Sequence, residues 1–359
     1  MKLSVPFIPD PDYVSFLADH QTHLESVYFS LSSATPWDAR ITRTGSGISP
    51  LNVTALARSL APLVGLKKYI LLNTRFVPPA LYTDTPKLMG LLDSLETLHR
   101  KSPVQGIVIS DFYLANALDR TNHDMIPFLE AVPGINCMMD SMEKVLAYLE
   151  TIEGTRFKMP GRLLLDRSLN RDLGRLGDLS RRVSTLFPDI KIELLANEGC
   201  IFHCPFKPAH DAQIALSNTG LVREATWKTN QVFGCHTYFF NHPHRFLKSP
   251  FIRPEDQIHY QGMAHTIKLC GRTLGPKFLT QCIQAYITQS HDGNLLDLMD
   301  ASHFLAQTFH VDNKTLGPDF LNTLTSCTKE CSSCRICQNL FLEIANKKSI
   351  TLQSFKDVQ

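Results

Sequence analysis

No run of eighteen or so apolar residues occurs in the 359-residue chain, so the sequence contains no membrane span of helical type. An excess of one charge is missing too: 36 basic residues face 34 acidic ones, for a formal net charge of +2. That balance gives no strong nucleic-acid signature, because non-specific binding to phosphates needs a basic surplus. The opening Met1–Asp10 segment is too short in apolar residues for a signal peptide. Also lacking are a G-x-G-x-x-G after the first strand, a G-x-S-x-G, an H-E-x-x-H and a Walker sequence. Dinucleotide binding and the common hydrolase constellations therefore have no motif to rest on. There is no internal repeat and no low-complexity tract. What remains is a core-forming composition, 43% hydrophobic and 19% charged, expected of a globular cytoplasmic protein.

Thiols are the feature present in excess. Of ten cysteines, four fall within eleven residues: Cys327, Cys331, Cys334 and Cys337, spaced C-x₃-C-x₂-C-x₂-C. So tight a set does not pair easily into two unstrained disulfides, and a reducing compartment disfavours disulfides in any case. Thiolates at these spacings converge instead on one zinc ion or one [4Fe–4S] cluster. The first three also match the spacing of a radical S-adenosylmethionine triplet, but they follow the other elements rather than the first strand. A looser group comprises Cys200, Cys204 and, thirty residues on, Cys235. Its fourth ligand is open, with Cys270, His203, His210 and His236 as rivals. Cys137, Cys270 and Cys282 lie on apolar stretches and read more plainly as buried structural thiols. The pair His242 and His244 reads as solvated loop histidines.

Short apolar runs alternate with helical stretches about eight times. Expected strands are Lys2–Ile8, Val27–Leu31, Tyr69–Asn73, Gly106–Ile109, Ile135–Met138, Arg162–Leu165, Lys191–Leu195 and Thr266–Leu269. Between them, Leu173, Leu176, Leu179 and Val183 recur at helical spacing, as do Val145, Leu146 and Leu149. This alternation predicts an α/β fold, a TIM-like (βα)₈ barrel. Leu195 and Thr266 are about seventy residues apart, roughly twice one βα unit. An insertion over about 221–260 is therefore expected within a barrel domain of residues 1–300. Residues 301–359 are expected to form a Cys-rich C-terminal appendage.

In such a barrel the βα loops converge at the C-terminal ends of the strands. Those ends offer Asn73, Arg75, Ser110, Asp111, Asp140, Asp166, Arg167, Asn197, Glu198, Gly271 and Arg272. Asp111, Asp166, Arg167, Glu198 and Arg272 form the expected catalytic set. Arg75, Arg167 and Arg272 form the expected ligand-binding set, since guanidinium forks suit carboxylates and phosphates. The plainer reading of any one of them is an Asp–Arg pair that only positions loops.

Several ordered segments resemble the collagenase-like peptidase superfamily. They are Glu193-Leu194-Leu195-Ala196-Asn197-Glu198-Gly199-Cys200 with Cys204-Pro205, the stretch Lys248–Asp256, Lys268-Leu269-Cys270-Gly271-Arg272, and Ala285-Tyr286 with Gly293-Asn294-Leu295-Leu296. The resemblance implies a TIM-like barrel. It also implies a relationship to oxygen-independent hydroxylases of ubiquinone precursors and RNA bases, which hold a [4Fe–4S] cluster on four cysteines, with prephenate implicated as oxygen donor. By position, Cys200, Cys204 and Cys235 correspond to three of those cluster cysteines. The chain departs from the pattern in the spacing of its first cysteine pair, in Cys270, and in the C-terminal quartet.

Three functions follow as expectations. The first is an iron–sulfur oxidoreductase of hydroxylase type, with one or two [4Fe–4S] clusters, or zinc in the quartet. Its substrate would be an aromatic small molecule or nucleobase, and its oxygen donor a carboxylate. The second is a metal-dependent peptidase. The third is a non-catalytic partner subunit in a hetero-oligomer.

Overall fold

The computed structural model describes residues 1–31, 37–38, 52–219, 222 and 226–348. Eight parallel strands form the centre: β1 (Lys2–Pro6), β2 (Leu24–Phe29), β3 (Lys67–Leu72), β4 (Gly106–Ile109), β5 (Glu130–Pro133), β6 (Arg162–Leu164), β7 (Lys191–Leu195) and β8 (Thr266–Lys268). Their order, 5-4-3-2-1-8-7-6, is that of a barrel opened between β5 and β6. That seam is bridged by Lys158, whose N–H and carbonyl bond the backbone of Leu129 and Ala131. The result is a nearly closed TIM-like barrel surrounded by helices, as the alternation in the sequence predicts.

Seven of the expected strands contain or overlap an observed one. The fifth does not: the apolar run Ile135–Met138 is a short 3₁₀ turn ending with Met138 at φ 50°. The strand lies just upstream at Glu130–Pro133, where the Glu130 carboxylate accepts from Tyr69 Oη (3.0 Å), Gln105 Nε2 (2.6 Å) and the Gly161 N–H (3.1 Å). Gly106 permits this pairing, because a Cβ there would stand 2.4 Å from the Glu130 carbonyl oxygen.

The outer helices are α1 (Pro11–Asp19), α2 (Val53–Leu60), α3 (Thr85–Lys101), α4 (Phe112–Arg120), α5 (Met142–Glu153) and α6 (Leu173–Leu186). Their starts are set chemically: the carboxylates of Asp10, Asp84, Asp111 and Asp172 and the side chains of Asn52 and Ser141 accept first-turn N–H groups. Each helix buries one stripe. On α3 it is Leu88, Leu91, Leu92, Leu95 and Leu98; on α6 it is Leu176, Leu179 and Val183. Each buried leucine of this kind contributes roughly 1.5–3 kcal/mol. Leu146, read with the buried stripe of α5, is exposed.

The barrel interior is partly polar. Ser4 and Ser26 bond each other at 2.8 Å, and Arg162 Nη1 donates to both and to Glu193. Arg162 lies 3.5 Å over the Tyr69 ring, and Lys268 lies 3.7 Å over Tyr28.

The long connection after β7 holds α7 (Lys207–Asn218), α8 (Thr226–Phe233), α9 (Cys235–Asn241) and the 3₁₀ segments Pro243–Lys248 and Glu255–Tyr260. After α10 (Pro276–Thr288) the chain forms an antiparallel pair, β9 (Phe309–Val311) with β10 (Ala345–Lys347), enclosing α11 (Phe320–Ser326) and α12 (Ile336–Ile344). Helix α12 packs against the Pro243–Lys248 turn. No helix among the described residues is long and apolar enough to cross a membrane.

Candidate barrel-mouth site and cysteine centres

The end of β7 is locked to the end of β8 by one side chain. Asn197 is fully buried; its Nδ2 donates to the Cys270 and Leu298 carbonyls (3.0 and 3.1 Å), and its Oδ1 accepts the Cys270 N–H at 2.7 Å. The next residues are clamped by the chain after α10, where the Asp300 and Ala301 N–H groups bond the carbonyls of Asn197 and Glu198. Gly199 takes φ +69°, the left-handed region. The loop then delivers Cys200, whose carbonyl accepts from Ser249 Oγ, and Cys204, whose carbonyl accepts the first N–H of α7.

These loops surround a cavity of about 160 Å³ at the barrel mouth. Arg75, Arg167, Glu198, Cys200, Cys204, Cys270 and Arg272 line it, over a floor that includes Tyr28, Val108, Leu164 and Lys268. Of the residues expected from sequence, Arg75, Arg167, Glu198 and Arg272 therefore share one cavity. Asp111 and Asp166 do not line it: each accepts the N–H groups of its own following turn, and Asp111 also accepts from Tyr82 Oη at 2.5 Å. Asp140 pairs with Lys144 at 2.6 Å on the outside. Lys207, His210 and Asp211 line the mouth although the sequence reading did not place the first and third there. They sit on the first turns of α7, and the Pro205–Pro208 segment that opens it was the available signal.

The mouth is rich in cations. Arg167 pairs with Glu198, yet its Nε and Nη2 are buried without a hydrogen-bond partner among the described residues. Arg75 Nη1 donates to the Asn136 carbonyl at 2.6 Å. Arg272 donates to Ser30 Oγ at 2.8 Å and to the buried Asp38 at 2.6 Å. Lys207 pairs with Asp211 at 2.8 Å, and burial followed by the nearby Arg167 lowers its pKa.

Cys200, Cys204 and Cys235 lie within electrostatic reach of one another. Burial raises all three thiol pKa values, that of Cys235 to about 11, while Arg167 and Lys207 pull the first two down. Cys270 faces Asn197 Oδ1 at 3.3 Å. Cys137 and Cys282 are buried against backbone carbonyls, Ile109 at 3.7 Å and Leu298 at 3.4 Å, in keeping with structural thiols. His236 stacks on Phe304 at 3.7 Å, His210 Nε2 meets Asn230 at 3.2 Å, and His242 contacts Tyr238 and His244 through its ring.

The C-terminal quartet forms its own centre. All four cysteines line one small cavity of about 20 Å³, together with Arg171, Phe202 and Lys248. Burial, then the neighbouring Cys327, Cys331 and Cys334, push the Cys337 thiol up to about 11. Away from both centres, Asp93, Glu96 and His123 bring ligand atoms within 4.8 Å of one another. There His123 Nδ1 accepts the Met125 N–H at 3.0 Å, so Nε2 carries the proton it gives to Asp93 at 3.1 Å. That trio is a hydrogen-bonded tie between α3 and the loop after α4.

Among known proteins, the chain is similar to an uncharacterized protease of Methanocaldococcus jannaschii, at 27% identity over 264 residues and 71% of each chain. No family model matches it. A solved structure of the carboxyl transferase domain of Rhizobium etli pyruvate carboxylase with pyruvate aligns at 9% identity and a TM-score of 0.33. It covers 61% of this chain, which spans 39% of that one.

Proposed function

We propose that the barrel mouth is the active site of an iron–sulfur enzyme of the oxygen-independent hydroxylase type. Cys200, Cys204 and Cys235 would hold a [4Fe–4S] cluster, and the mouth arginines would bind a carboxylate-bearing oxygen donor such as prephenate. The substrate class that fits is an aromatic small molecule or a nucleobase. The reading is supported by one observation above the others: Cys200 and Cys204 border the same cavity as Arg167, whose Nε and Nη2 are buried without a hydrogen-bond partner among the described residues. A buried guanidinium with idle N–H groups is costly unless an anion meets it. The resemblance of Glu193–Pro205 and Lys248–Asp256 to the collagenase-like peptidases, and the similarity to the archaeal protein, support the same family.

Three closely placed thiols suit a cluster, and Arg167 and Lys207 oppose the burial that raises the pKa values of Cys200 and Cys204. Bound there, the cluster would supply electrons and an iron able to take an oxygen ligand. The protein side of the chemistry is positional. Arg75 and Arg167 offer donors to carboxylates, and Arg272 is held by Asp38 and Ser30 at the same rim. Apolar Tyr28, Val108 and Leu164 line the floor against which an aromatic ring packs.

The test is anaerobic purification of the wild type beside a C200A/C204A/C235A variant. The variant is expected to lose about four irons and four sulfides per chain, and added prephenate is expected to perturb the wild-type cluster spectrum only. Equal iron in both proteins would overturn the reading. The name of the archaeal relative favours a second reading, a peptidase; peptide cleavage by the iron-free chain would put that reading first. An intact mouth cluster with no turnover when partner subunits are supplied would indicate the non-catalytic role.

A further inference from the structure

We propose that Cys327, Cys331, Cys334 and Cys337 hold a second iron–sulfur cluster, separate from the mouth site and charge-compensated by Lys248 and Arg171. This goes beyond the mouth reading and does not depend on it.

The four thiols are gathered by local backbone. Helix α11 stops at Ser326, and Lys329, at φ 62°, turns the chain so that the Cys331 N–H bonds the Lys329 carbonyl at 2.8 Å. Cys337 then sits in the first turn of α12, and the Ile336 N–H points at Cys334 Sγ at 3.5 Å. The outcome is four cysteines lining one cavity.

The surroundings are cationic where thiols alone would not require it. Lys248 Nζ lies 3.4 Å from Cys331 Sγ, and Arg245 Nη2 donates to the Cys331 carbonyl at 3.3 Å. Arg171 also borders this cavity and is only 1% exposed. Its Nε donates to the Ser249 carbonyl at 3.0 Å, its plane lies 4.7 Å from the Phe251 ring centre, and its two terminal nitrogens make no well-formed hydrogen bond to the described residues. Tyr260 and Asp256 act on it electrostatically, but both oxygens of Asp256 are already bonded by Arg253. A guanidinium buried with only a shared carboxylate is costly. An anionic metal–thiolate centre against it removes that penalty.

Ligand spacing favours iron–sulfur over zinc. The C-x₂-C-x₂-C run of Cys331, Cys334 and Cys337 is the core of bacterial ferredoxin spacing, whereas thiolate zinc sites usually separate two C-x₂-C pairs by a long stretch.

The second centre backs onto the first. Phe202, between Cys200 and Cys204, lines the quartet cavity, and adjacent residues Lys248 and Ser249 touch Cys331 and Cys200 respectively.

The experiment measures iron, sulfide and zinc in the C200A/C204A/C235A chain, purified without oxygen. Retention of about four irons with matching sulfide is expected. A companion C331A/C334A variant, altering one half-exposed and one exposed thiol, is expected to lose that complement from the otherwise intact protein. In the first variant, adding Lys248→Met is expected to shift the reduction potential downward, since a lost cation disfavours the more negative reduced cluster. No iron in the triad variant, one zinc without sulfide, or a potential indifferent to Lys248 would each overturn the proposal. Failure of the mouth reading would show differently, as equal iron in the triad variant and the wild type.

Discussion

Arg253 and Asp256 form a two-pronged ion pair, 2.8 Å at each prong, that is almost completely buried. The same guanidinium donates to the Leu316 carbonyl at 3.1 Å and lies over the Phe320 ring. It thereby ties the segment that carries the quartet to the connection after β7. Arg253→Met strands the Asp256 carboxylate in a dry site, which costs about 3–5 kcal/mol. Urea unfolding is expected to show that loss, and limited proteolysis is expected to cut first between α11 and α12.

The mouth arginines are expected to separate ligand binding from stability. Among the described residues Arg75 bonds only a backbone carbonyl, so Arg75→Met is expected to weaken prephenate binding by roughly 10- to 100-fold, the worth of a charge-assisted bond, with an unchanged melting temperature. Arg167→Met removes the partner of the half-buried Glu198 as well. Both affinity and stability are expected to fall there, and E198Q/R167M is expected to restore stability without binding. Calorimetry of the three variants checks the split.

Lys268 gives a pH signature. Burial lowers its pKa to about 8, against the opposing pull of Glu193 at 3.6 Å. Between about 8 and 10.5 the unfolded chain then holds more protons on this lysine than the folded one, so stability from this group rises with pH across that window. Below it, both states are charged and the folded protein bears the burial penalty. The stability difference between wild type and Lys268→Met is expected to grow in favour of the wild type from pH 8 to 10, and a flat difference would refute the assignment.

Much of this organisation was legible in the chain. Parallel strands buried on both faces read as short apolar runs, which is why Gly106–Ile109 and Lys191–Leu195 could be placed to the residue. Glu130–Pro133 escaped because its glutamate and proline mimic a turn, and only the partners Tyr69 and Gln105, distant in sequence, explain a buried carboxylate there. The interior network of Arg162, Glu193 and Lys268 was hidden for the same reason: each stands inside an apolar strand, and their meeting is a property of closure. Barrel ends were predictable as a set, but not which members turn inward. Asp111 and Asp166 cap helices, while Arg167, one residue from Asp166, lines the cavity. That the four C-terminal cysteines line one place was legible from spacing alone. Its cations were not, since Arg171 and Lys248 come from elements far up the chain.

Gly199 supplies the sharpest test of how the mouth loop is built. A Cβ there would lie 2.3 Å from Ser302 Oγ and 3.2 Å from Met299 Cβ, on a backbone at φ +69°. Two costs therefore combine in Gly199→Ala: about 1–2 kcal/mol for the left-handed conformation, and a clash that pushes the clamp of Asp300–Ser302 away from Cys200. Ser302 Oγ is itself buried without a hydrogen-bond partner among the described residues, so Ser302→Ala alone is expected to be close to neutral. Joined with Gly199→Ala, it removes the 2.3 Å contact and leaves the backbone term with the 3.2 Å approach to Met299 Cβ. Partial recovery in the double variant, measured as both unfolding free energy and iron retained at the mouth, is the expected result. Full recovery would mean that the positive φ carries no strain, and no recovery would mean that Met299, rather than Ser302, sets the position of the loop that presents Cys200.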